Sequence, residues 1–161
     1  MLCAWKTARF TKYHAAAIKP LESEMSNCIF CRIVAKEIPA AVVYEDEHTL
    51  AFMDAGQVNP GHVLVAAKGH AESLYELSDT QAGALLRTAA RVARGIRDAY
   101  KPEGLSVYQA NGKAAWQSVF HYHMHLVPRR EGDGMALTWP AKNPPREKLA
   151  EYAAEIRKAL G

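Results

Sequence analysis

Three histidines alternate with apolar residues at positions 121–125, where the sequence reads His-Tyr-His-Met-His. Side chains on a β-strand point alternately to opposite faces, so this spacing predicts a strand that carries His121, His123 and His125 in a row, about 6.6 Å apart. Such a row incurs repeated desolvation or like-charge costs, which makes a purely structural role a poor explanation. The residues between and beside the histidines are expected to face a core: Phe120, Tyr122, Met124 and Leu126.

Two chemistries fit a row of histidines. Imidazole is a common ligand for zinc, copper or iron. A neutral imidazole can instead attack an electrophilic phosphorus while protonated neighbours donate hydrogen bonds to the phosphate oxygens. Gln117 and Ser118 lie just before the row and supply an amide and a hydroxyl that suit a phosphate, so they favour the second interpretation. On chemistry alone both interpretations stay open.

The apolar runs of the chain predict its fold class. Strands are expected at residues 41–45, 49–53, 62–67, 105–110 and 118–127, and a charged turn between the first two suggests a hairpin. The strands are interrupted by one long helical pattern and do not alternate regularly with helices. This order indicates an α+β domain with an antiparallel sheet.

The long helix is expected to begin at Ser78-Asp79-Thr80-Gln81, which has the composition of a capping box, and to end near Tyr100. Its buried face is predicted from helical spacing: Leu85, Leu86, Ala89, Val92, Ala93 and Ile96. A short helical turn is expected at residues 29–35, and a last helix begins at Pro145. One face of that last helix is apolar: Leu149, Tyr152, Ala153 and Ile156.

Length and charge limit the domain count and the partners. The chain has 161 residues, which suits one domain, and we expect that domain to span residues 25–161. Residues 1–24 are expected to be a disordered extension, a transit peptide or the product of an upstream start codon. A net charge of +3 is weak for a nucleic-acid surface, and no apolar run reaches the ~18 residues of a membrane span. We therefore expect a cytoplasmic protein without a nucleic-acid or membrane partner.

Cys28 and Cys31 form a Cys-x-x-Cys pair, and the third cysteine, Cys3, lies apart from them. The first 24 residues lack the pattern of a secretory signal. In that context such a pair is more typical of a metal half-site or a redox pair than of a structural disulfide.

The segment Gln117–Pro128 resembles the signature of the histidine-triad (HIT) family, in which three histidines alternate with apolar residues. The resemblance extends over about residues 28–130 and is closest to the small bacterial proteins of the Hint branch. Further segments follow in the family's order: Cys28–Ile33, Ile38–Ala40, Tyr44–Asp46, Leu50–Asp54, Pro60–His62 and Lys68–His70. The resemblance implies a HIT-like α+β fold, with an antiparallel sheet of about five strands, one long helix and a C-terminal helix.

HIT proteins bind a nucleotide and cleave it at the α-phosphate through a nucleotidyl-histidine intermediate. The resemblance therefore implies a hydrolase that acts on purine nucleoside phosphoramidates or dinucleoside polyphosphates. The imidazoles supply both nucleophile and charge, so no metal is needed for the phosphorus chemistry. The alternative is a nucleotide-sensing protein with incidental turnover. A binding-only relative could lose the nucleophile, and the presence of His123 favours the enzyme.

The resemblance also implies roles for single residues. His123 would be the nucleophile, His125 would contact the phosphate, His62 would orient or protonate that centre, and His121 completes the triad. Asp54 would receive the ribose hydroxyls, although it could instead cap the turn that follows it. The other nucleotide contacts would be made near the phosphate by Asn111, Gln117 and Ser118, and around the base by Ile29, Phe30, Ile33 and Phe52.

A structural zinc ion is implied by the same resemblance. A closed zinc site needs four ligands, and His48, His70 and His121 are the donors left once the phosphate has its histidines. Some bacterial HIT proteins carry zinc on Cys-x-x-Cys and two histidines, and His70 and His121 match those two positions. The alternative is a pair of reduced thiols without metal.

Members of this branch form two-fold dimers, which implies a homodimer here through the helix Asp79–Tyr100 and the strand Leu105–Ala110. The tail around Trp139 is expected to reach the partner's site. The sequence departs from the family at Trp116, where a small residue, usually Gly, precedes the glutamine of the signature. A bulky ring at this position is expected to narrow the site or to stack on the substrate.

Overall fold

The computed structural model describes residues 27–136, 138 and 140–161. The expectations for residues 1–24 and for Trp139 lie outside this part of the chain. Within these residues, three helices and five strands follow one another in the order α1 (Ile29–Val34), β1 (Val42–Glu45), β2 (Thr49–Met53), β3 (Val63–Ala67), α2 (Asp79–Tyr100), β4 (Gly104–Tyr108), β5 (His123–Arg129) and α3 (Arg146–Leu160). Two 3-10 turns lie at Leu74–Glu76 and Lys113–Ala115.

The five strands form one antiparallel sheet in the order β1-β2-β3-β5-β4. The predicted α+β class is confirmed. Strand β5, which carries His123 and His125, lies between β3 and β4, so both of its edges are paired. His123 lies opposite Ala66, and His125 lies opposite Leu64 and Tyr108. The candidate site is therefore built on a strand held from both sides.

The predicted strand at residues 118–127 begins too early. Strand β5 begins only at His123, because the chain before it pairs elsewhere: the Tyr122 N–H donates to the Ala71 carbonyl at 2.6 Å. His121 consequently leaves the predicted row of three. Phe120, which we expected in the core, is 36% exposed because it lies in the bend.

Helix α2 covers one face of the sheet. Both hydrogen bonds of the predicted capping box between Ser78 and Gln81 are present. Leu86, predicted to be buried, is 67% exposed, and Ala93 is only half-buried. The buried positions recur at helical spacing and form a narrower stripe than the one predicted. Leu86 lies outside this stripe, rotated by about 100° around the helix axis from its neighbour Leu85. They are Ala84, Leu85, Thr88, Ala89, Val92 and Ile96.

A second apolar cluster covers the opposite face of the sheet, on the side of His123 and His125. Phe30 of α1 packs there against the core residues Leu50, Phe52, Leu64 and Ala66. The alternation of β3 explains the division, because Leu64 and Ala66 face this cluster while Val63 and Val65 face α2. Helix α1 therefore supplies Phe30, which packs over the face of the sheet that carries His123 and His125.

Helix α3 exposes the apolar face predicted for it. Leu149, Tyr152 and Ile156 are each 46% to 62% exposed. Pro145 lies at the N-cap, one position before the first helical turn. Among the described residues, no helix combines the length and the apolar character that crossing a membrane requires.

Replacing Leu85 by alanine should lower the free energy of unfolding by roughly 2–5 kcal/mol, because this side chain is 1% exposed and its loss leaves a cavity between α2 and the sheet. Leu160→Ala is the matched control, since Leu160 is 71% exposed, and its effect should stay within about 0.5 kcal/mol. Urea unfolding measures both. Equal decreases in the free energy of unfolding for the two variants would contradict the packing of Leu85 between α2 and the sheet.

Candidate active site and adjoining metal-ligand cluster

The orientation of the His123 imidazole is fixed by a backbone carbonyl that lies just before strand β5. Its Nδ1 lies 2.6 Å from the carbonyl oxygen of His121, which can only accept, so Nδ1 carries the hydrogen. In the neutral ring the lone pair is then on Nε2. Burial is the main reason that the pKa of His123 lies below its ordinary value, and this keeps the ring neutral near pH 7. The side chain therefore offers Nε2 as a nucleophile.

His125 lies beside His123, and the centroids of the two rings are 5.0 Å apart. His62 Nε2 lies 2.9 Å from His125 Nδ1, and the Val58 N–H donates to His62 Nδ1 at 3.4 Å. These two contacts favour a proton on Nε2 of His62, which donates to His125 and leaves a proton on Nε2 of His125. Burial, followed by the charges of His123 and His62, lowers the pKa of His125 to about 4. An acceptor nitrogen and a donor nitrogen thus lie on neighbouring rings.

Asp54 caps the turn that follows it, as one of the two interpretations predicted, and it also contacts two histidines. Its Oδ1 accepts from the Gly56 N–H at 2.8 Å and caps the turn. Its Oδ2 lies 3.3 Å from His62 Nε2 and 3.5 Å from His125 Nδ1. The carboxylate therefore joins the end of β2 to the two histidines.

Sequence reasoning missed Gln57, which holds the loop between Asp54 and His62. Its Oε1 accepts from the N–H groups of Gly61 and His62, and its Nε2 donates to the carbonyls of Asp54 and His62. Gly61 has φ +94°, and a Cβ there would lie 2.8 Å from the Tyr100 ring. The Asn-Pro-Gly turn was visible in the sequence, but the bonds of Gln57 depend on the folded loop.

A second missed network anchors the same loop to the exit of β5. Asn59 Nδ2 donates to the Pro128 carbonyl at 2.8 Å and to Asp133 Oδ2 at 2.9 Å. Arg129 donates to both carboxylate oxygens of Asp133. The guanidinium holds the pKa of Asp133 well below its usual range. The residues before His62 are therefore tied to the strand that carries His123 and His125.

The residues predicted to surround the base lie on and around α1. Phe30 is buried, contacts Phe52 edge to face at 5.5 Å between ring centroids, and contacts His123 at 4.9 Å. Ile33 is partly buried against the same cluster, and Ile29 is 48% exposed. These residues form an apolar wall next to His123.

Of the residues predicted near the phosphate, Asn111 and Gln117 form hydrogen bonds with the backbone of neighbouring loops. Gln117 is buried, accepts from the Gly112 N–H at 2.7 Å and donates to the Glu72 carbonyl at 2.5 Å. Asn111 Oδ1 accepts from the Leu74 N–H at 2.7 Å. Ser118 is exposed. The two amides therefore shape the loop before β5.

Cys28, Cys31, His70 and His121 bring their four ligand atoms within 4.8 Å of one another. The sulfur-to-Nδ1 distances are 3.2 Å for Cys31–His70, 3.4 Å for Cys28–His121 and 3.5 Å for Cys31–His121. Tetrahedral zinc with ordinary Zn–N and Zn–S bonds gives ligand separations of roughly 3.3–3.8 Å. The cluster could therefore hold a metal ion, and His48 lies outside it.

His121 is oriented toward this cluster and away from the other triad histidines. Its Nε2 donates to the Ala67 carbonyl at 2.7 Å, which leaves the Nδ1 lone pair facing the sulfur atoms. Cys31 is partly buried, and burial is the main cause that raises the pKa of its thiol to about 12. The bend before β5 thus gives His121 a different site from His123 and His125.

His125→Asn should flatten the dependence of the melting temperature on pH. In the unfolded chain this ring takes up a proton near pH 6.5, whereas in the folded chain it does so near pH 4. Its contribution to stability is present above pH 6.5 and is lost as the pH falls toward 4. Both proteins keep the Cys/His cluster, so any effect of acid on that cluster is common to both curves. Parallel curves for the variant and the wild type would contradict a lowered pKa of His125 in the folded chain.

Residues 35–132 match the family model described as the HIT domain. The Bacillus subtilis (strain 168) protein named "Protein hit" is 47% identical over 137 residues, which cover 83% of this chain and 94% of that protein. A crystal structure of a HIT family member from Bacillus subtilis covers 84% of this chain and 98% of its own, with a TM-score of 0.80 and 46% identity.

Two other relatives bear on the chemistry. Adenosine 5'-monophosphoramidase HNT1 of Saccharomyces cerevisiae is 35% identical over 130 residues, with 80% of each chain covered. A Zn-bound histidine triad family protein of Mycobacterium smegmatis has a TM-score of 0.66 at 34% identity, with 84% of this chain and 99% of that chain covered. The family match, these relatives and the arrangement of His123 and His125 on β5 agree, and the chain belongs to the histidine-triad (HIT) family.

Proposed function

We propose that this chain is a hydrolase that cleaves purine nucleoside phosphoramidates, or dinucleoside polyphosphates, at the α-phosphate through a nucleotidyl-histidine intermediate. The observation that carries the proposal is the 2.6 Å contact between His123 Nδ1 and the His121 carbonyl, because it leaves Nε2 free to attack. The naming of fungal relatives as adenosine 5'-monophosphoramidases supports the phosphoramidate class.

In the first step, Nε2 of His123 attacks the α-phosphorus, a P–N bond to the ring forms, and the bond to the leaving group breaks. The leaving nitrogen or oxygen takes the Nε2 proton of His125, which acts in its protonated imidazolium form; the phosphate anion of the bound substrate favours that charged form. In the second step, water attacks the phosphorus and gives its proton to Nε2 of His125, the P–N bond to His123 breaks, and the nucleoside monophosphate leaves. The contacts of His125 with His62 and of both with Asp54 orient the proton donor.

For the nucleotide we propose that the base lies against Ile29 and Ile33, which remain accessible beside the buried Phe30 and Phe52. Asp54 would receive the ribose hydroxyls, since a carboxylate can accept two hydrogen bonds. Ser118 is exposed and would meet the phosphate or the leaving group, with Asn111 and Gln117 shaping the loop behind it.

We also propose that zinc binds to Cys28, Cys31, His70 and His121 in a structural role. The donor set of two sulfurs and two nitrogens is one that tetrahedral zinc prefers, and a relative is described as Zn-bound. When bound, the ion would join α1 to the bend before β5 and fix the position of His121.

A second copy of the chain is proposed to cover α2 and the edge strand β4. Leu86 on α2 is 67% exposed, and Val107 on β4 is 54% exposed. Among the residues that the structure describes, strand β4 is the last strand of the sheet and its outer edge is unpaired, and two-fold pairing would cover that edge.

His123→Ala should lower kcat/KM for adenosine 5'-phosphoramidate at least ~10³-fold while AMP binding persists, because no other group replaces the covalent nucleophile. His48→Ala is the control, since His48 lies in a turn outside both clusters. A His123→Ala protein with a tenth of the wild-type activity would refute the assignment. Binding without turnover in the wild type would favour the nucleotide-sensing alternative.

Elemental analysis of protein purified without chelator should find close to one zinc per chain. The double variant Cys28→Ser/Cys31→Ser should lose the metal and melt at a lower temperature, because α1 is no longer held to the sheet by the ion. Absence of zinc from the wild type would leave the cysteines as metal-free thiols.

Light scattering at micromolar concentration should give twice the 17.8 kDa mass of one chain. Leu86→Glu combined with Val107→Glu should give monomers, because each change places a charge on the proposed contact surface. A wild-type mass of one chain would rule the dimer out.

A further inference from the structure

Trp116 and Tyr75 are the most exposed large apolar side chains among the residues that the structure describes, at 88% and 87%. Tyr75 lies in the 3-10 turn Leu74–Glu76, and Trp116 ends the turn Lys113–Ala115. Neither ring is buried by the other residues that the structure describes. Two large aromatic surfaces are therefore available to a ligand.

The two turns are joined to each other by short hydrogen bonds. Leu74 N–H donates to Asn111 Oδ1 at 2.7 Å, and Gln117 Nε2 donates to the Glu72 carbonyl at 2.5 Å. Gln117 is 6% exposed and also accepts from the Gly112 N–H. These hydrogen bonds therefore hold the turn of Tyr75 and the turn of Trp116 next to each other.

The backbone of Trp116 has φ +67° and ψ +27°, which is the left-handed region. Glycine adopts this conformation without steric cost, whereas a bulky residue does not. The Trp116 N–H donates to the Lys113 carbonyl at 3.0 Å and the Gln117 N–H donates to the Gly112 carbonyl at 3.2 Å, so the loop imposes the conformation. The exposed indole gains little stability from packing, so packing does not offset the strain of the left-handed backbone. Strained residues of this kind are typical of functional sites, and Trp116 is therefore a candidate for a functional role.

The chain leads directly from Trp116 to the proposed reaction centre. Ser118 and Phe120 line a cavity of about 510 Å³ together with Ile29, His70 and Glu72. Val119 packs on the cluster of Phe30, and the Phe30 ring contacts that of His123. Trp116 lies two residues before Ser118, the residue that we propose meets the phosphate or the leaving group.

We propose that Trp116 determines leaving-group specificity by stacking on an aromatic ring of the leaving amine. This inference rests on the proposed function. The substrate class is an adenosine phosphoramidate whose amine carries an aromatic ring, in preference to one with an aliphatic amine of the same size. An aromatic contact of this kind corresponds to a preference of about 2- to 12-fold in kcat/KM. Tyr75 extends the apolar surface on the neighbouring turn.

The test compares two adenosine 5'-phosphoramidates, one of phenylethylamine and one of cyclohexylethylamine, which match in chain length and differ in aromaticity. The measured quantity is the ratio of kcat/KM for the aromatic to the aliphatic substrate. We expect a ratio above about 2 in the wild type, a ratio near 1 in Trp116→Gly and an intermediate ratio in Trp116→Phe. Trp116→Gly relieves the left-handed strain, so its melting temperature should be equal or higher.

Three results would overturn the proposal. An equal ratio in the wild type and Trp116→Gly excludes stacking by this ring and leaves the proposed function intact. A wild type that turns over neither substrate, nor adenosine 5'-phosphoramidate itself, removes the proposed function and with it this inference. Conversion of a dimer to a monomer by Trp116→Gly, measured by light scattering, would assign the indole to contact with a second copy.

Discussion

The carbonyl oxygen of His121 holds the hydrogen on Nδ1 of His123, and the chemistry proposed for this chain depends on that one bond. Without it the ring could flip or change tautomer, and Nε2 would no longer present its lone pair. The bond exists because the chain bends just before β5, so that a main-chain carbonyl faces the first histidine of the strand. The His123 ring is therefore oriented by the backbone, which is harder to displace than a side chain.

His121 also connects the candidate active site to the Cys/His cluster. The His121 side chain faces Cys28 and Cys31, while its carbonyl faces His123. A metal in the cluster would therefore stabilise the position of the carbonyl without touching the substrate. Helix α1 contributes to both places, because Cys28 lies at its N-cap and Phe30 packs on His123.

The alternation of histidines and apolar residues predicted a strand that carries His123 and His125 on one face and buries Met124 and Leu126 on the other. The catalytic roles of the two histidines come from the resemblance and stay predictions. The alternation could not predict the start of the strand, because pairing of Tyr122 with Ala71 depends on a loop fifty residues earlier in the chain. For the same reason His121 was placed in a row of three. The predicted metal ligands do come together, since the resemblance specified their positions.

Other features depend on the folded loops and have no sequence signal of their own. The four hydrogen bonds of Gln57 and the link from Asn59 to Asp133 form only when the loop before His62 meets the exit of β5. The exposure of Leu86 follows from which stripe of α2 faces the sheet. Trp116 was visible as a departure from the family, but its left-handed backbone is a property of the closed loop.

The most direct measurement is to locate the covalent nucleotide on the protein. Wild-type protein is mixed rapidly with a slowly hydrolysed adenosine phosphoramidate, quenched in alkaline denaturant because the phosphorus–nitrogen bond of phosphohistidine is acid-labile, and mapped by mass spectrometry and ³¹P NMR. The bond between His121 and His123 predicts AMP on Nε2 of His123. AMP on Nδ1 of His123, on another histidine, or on no residue during turnover would contradict it.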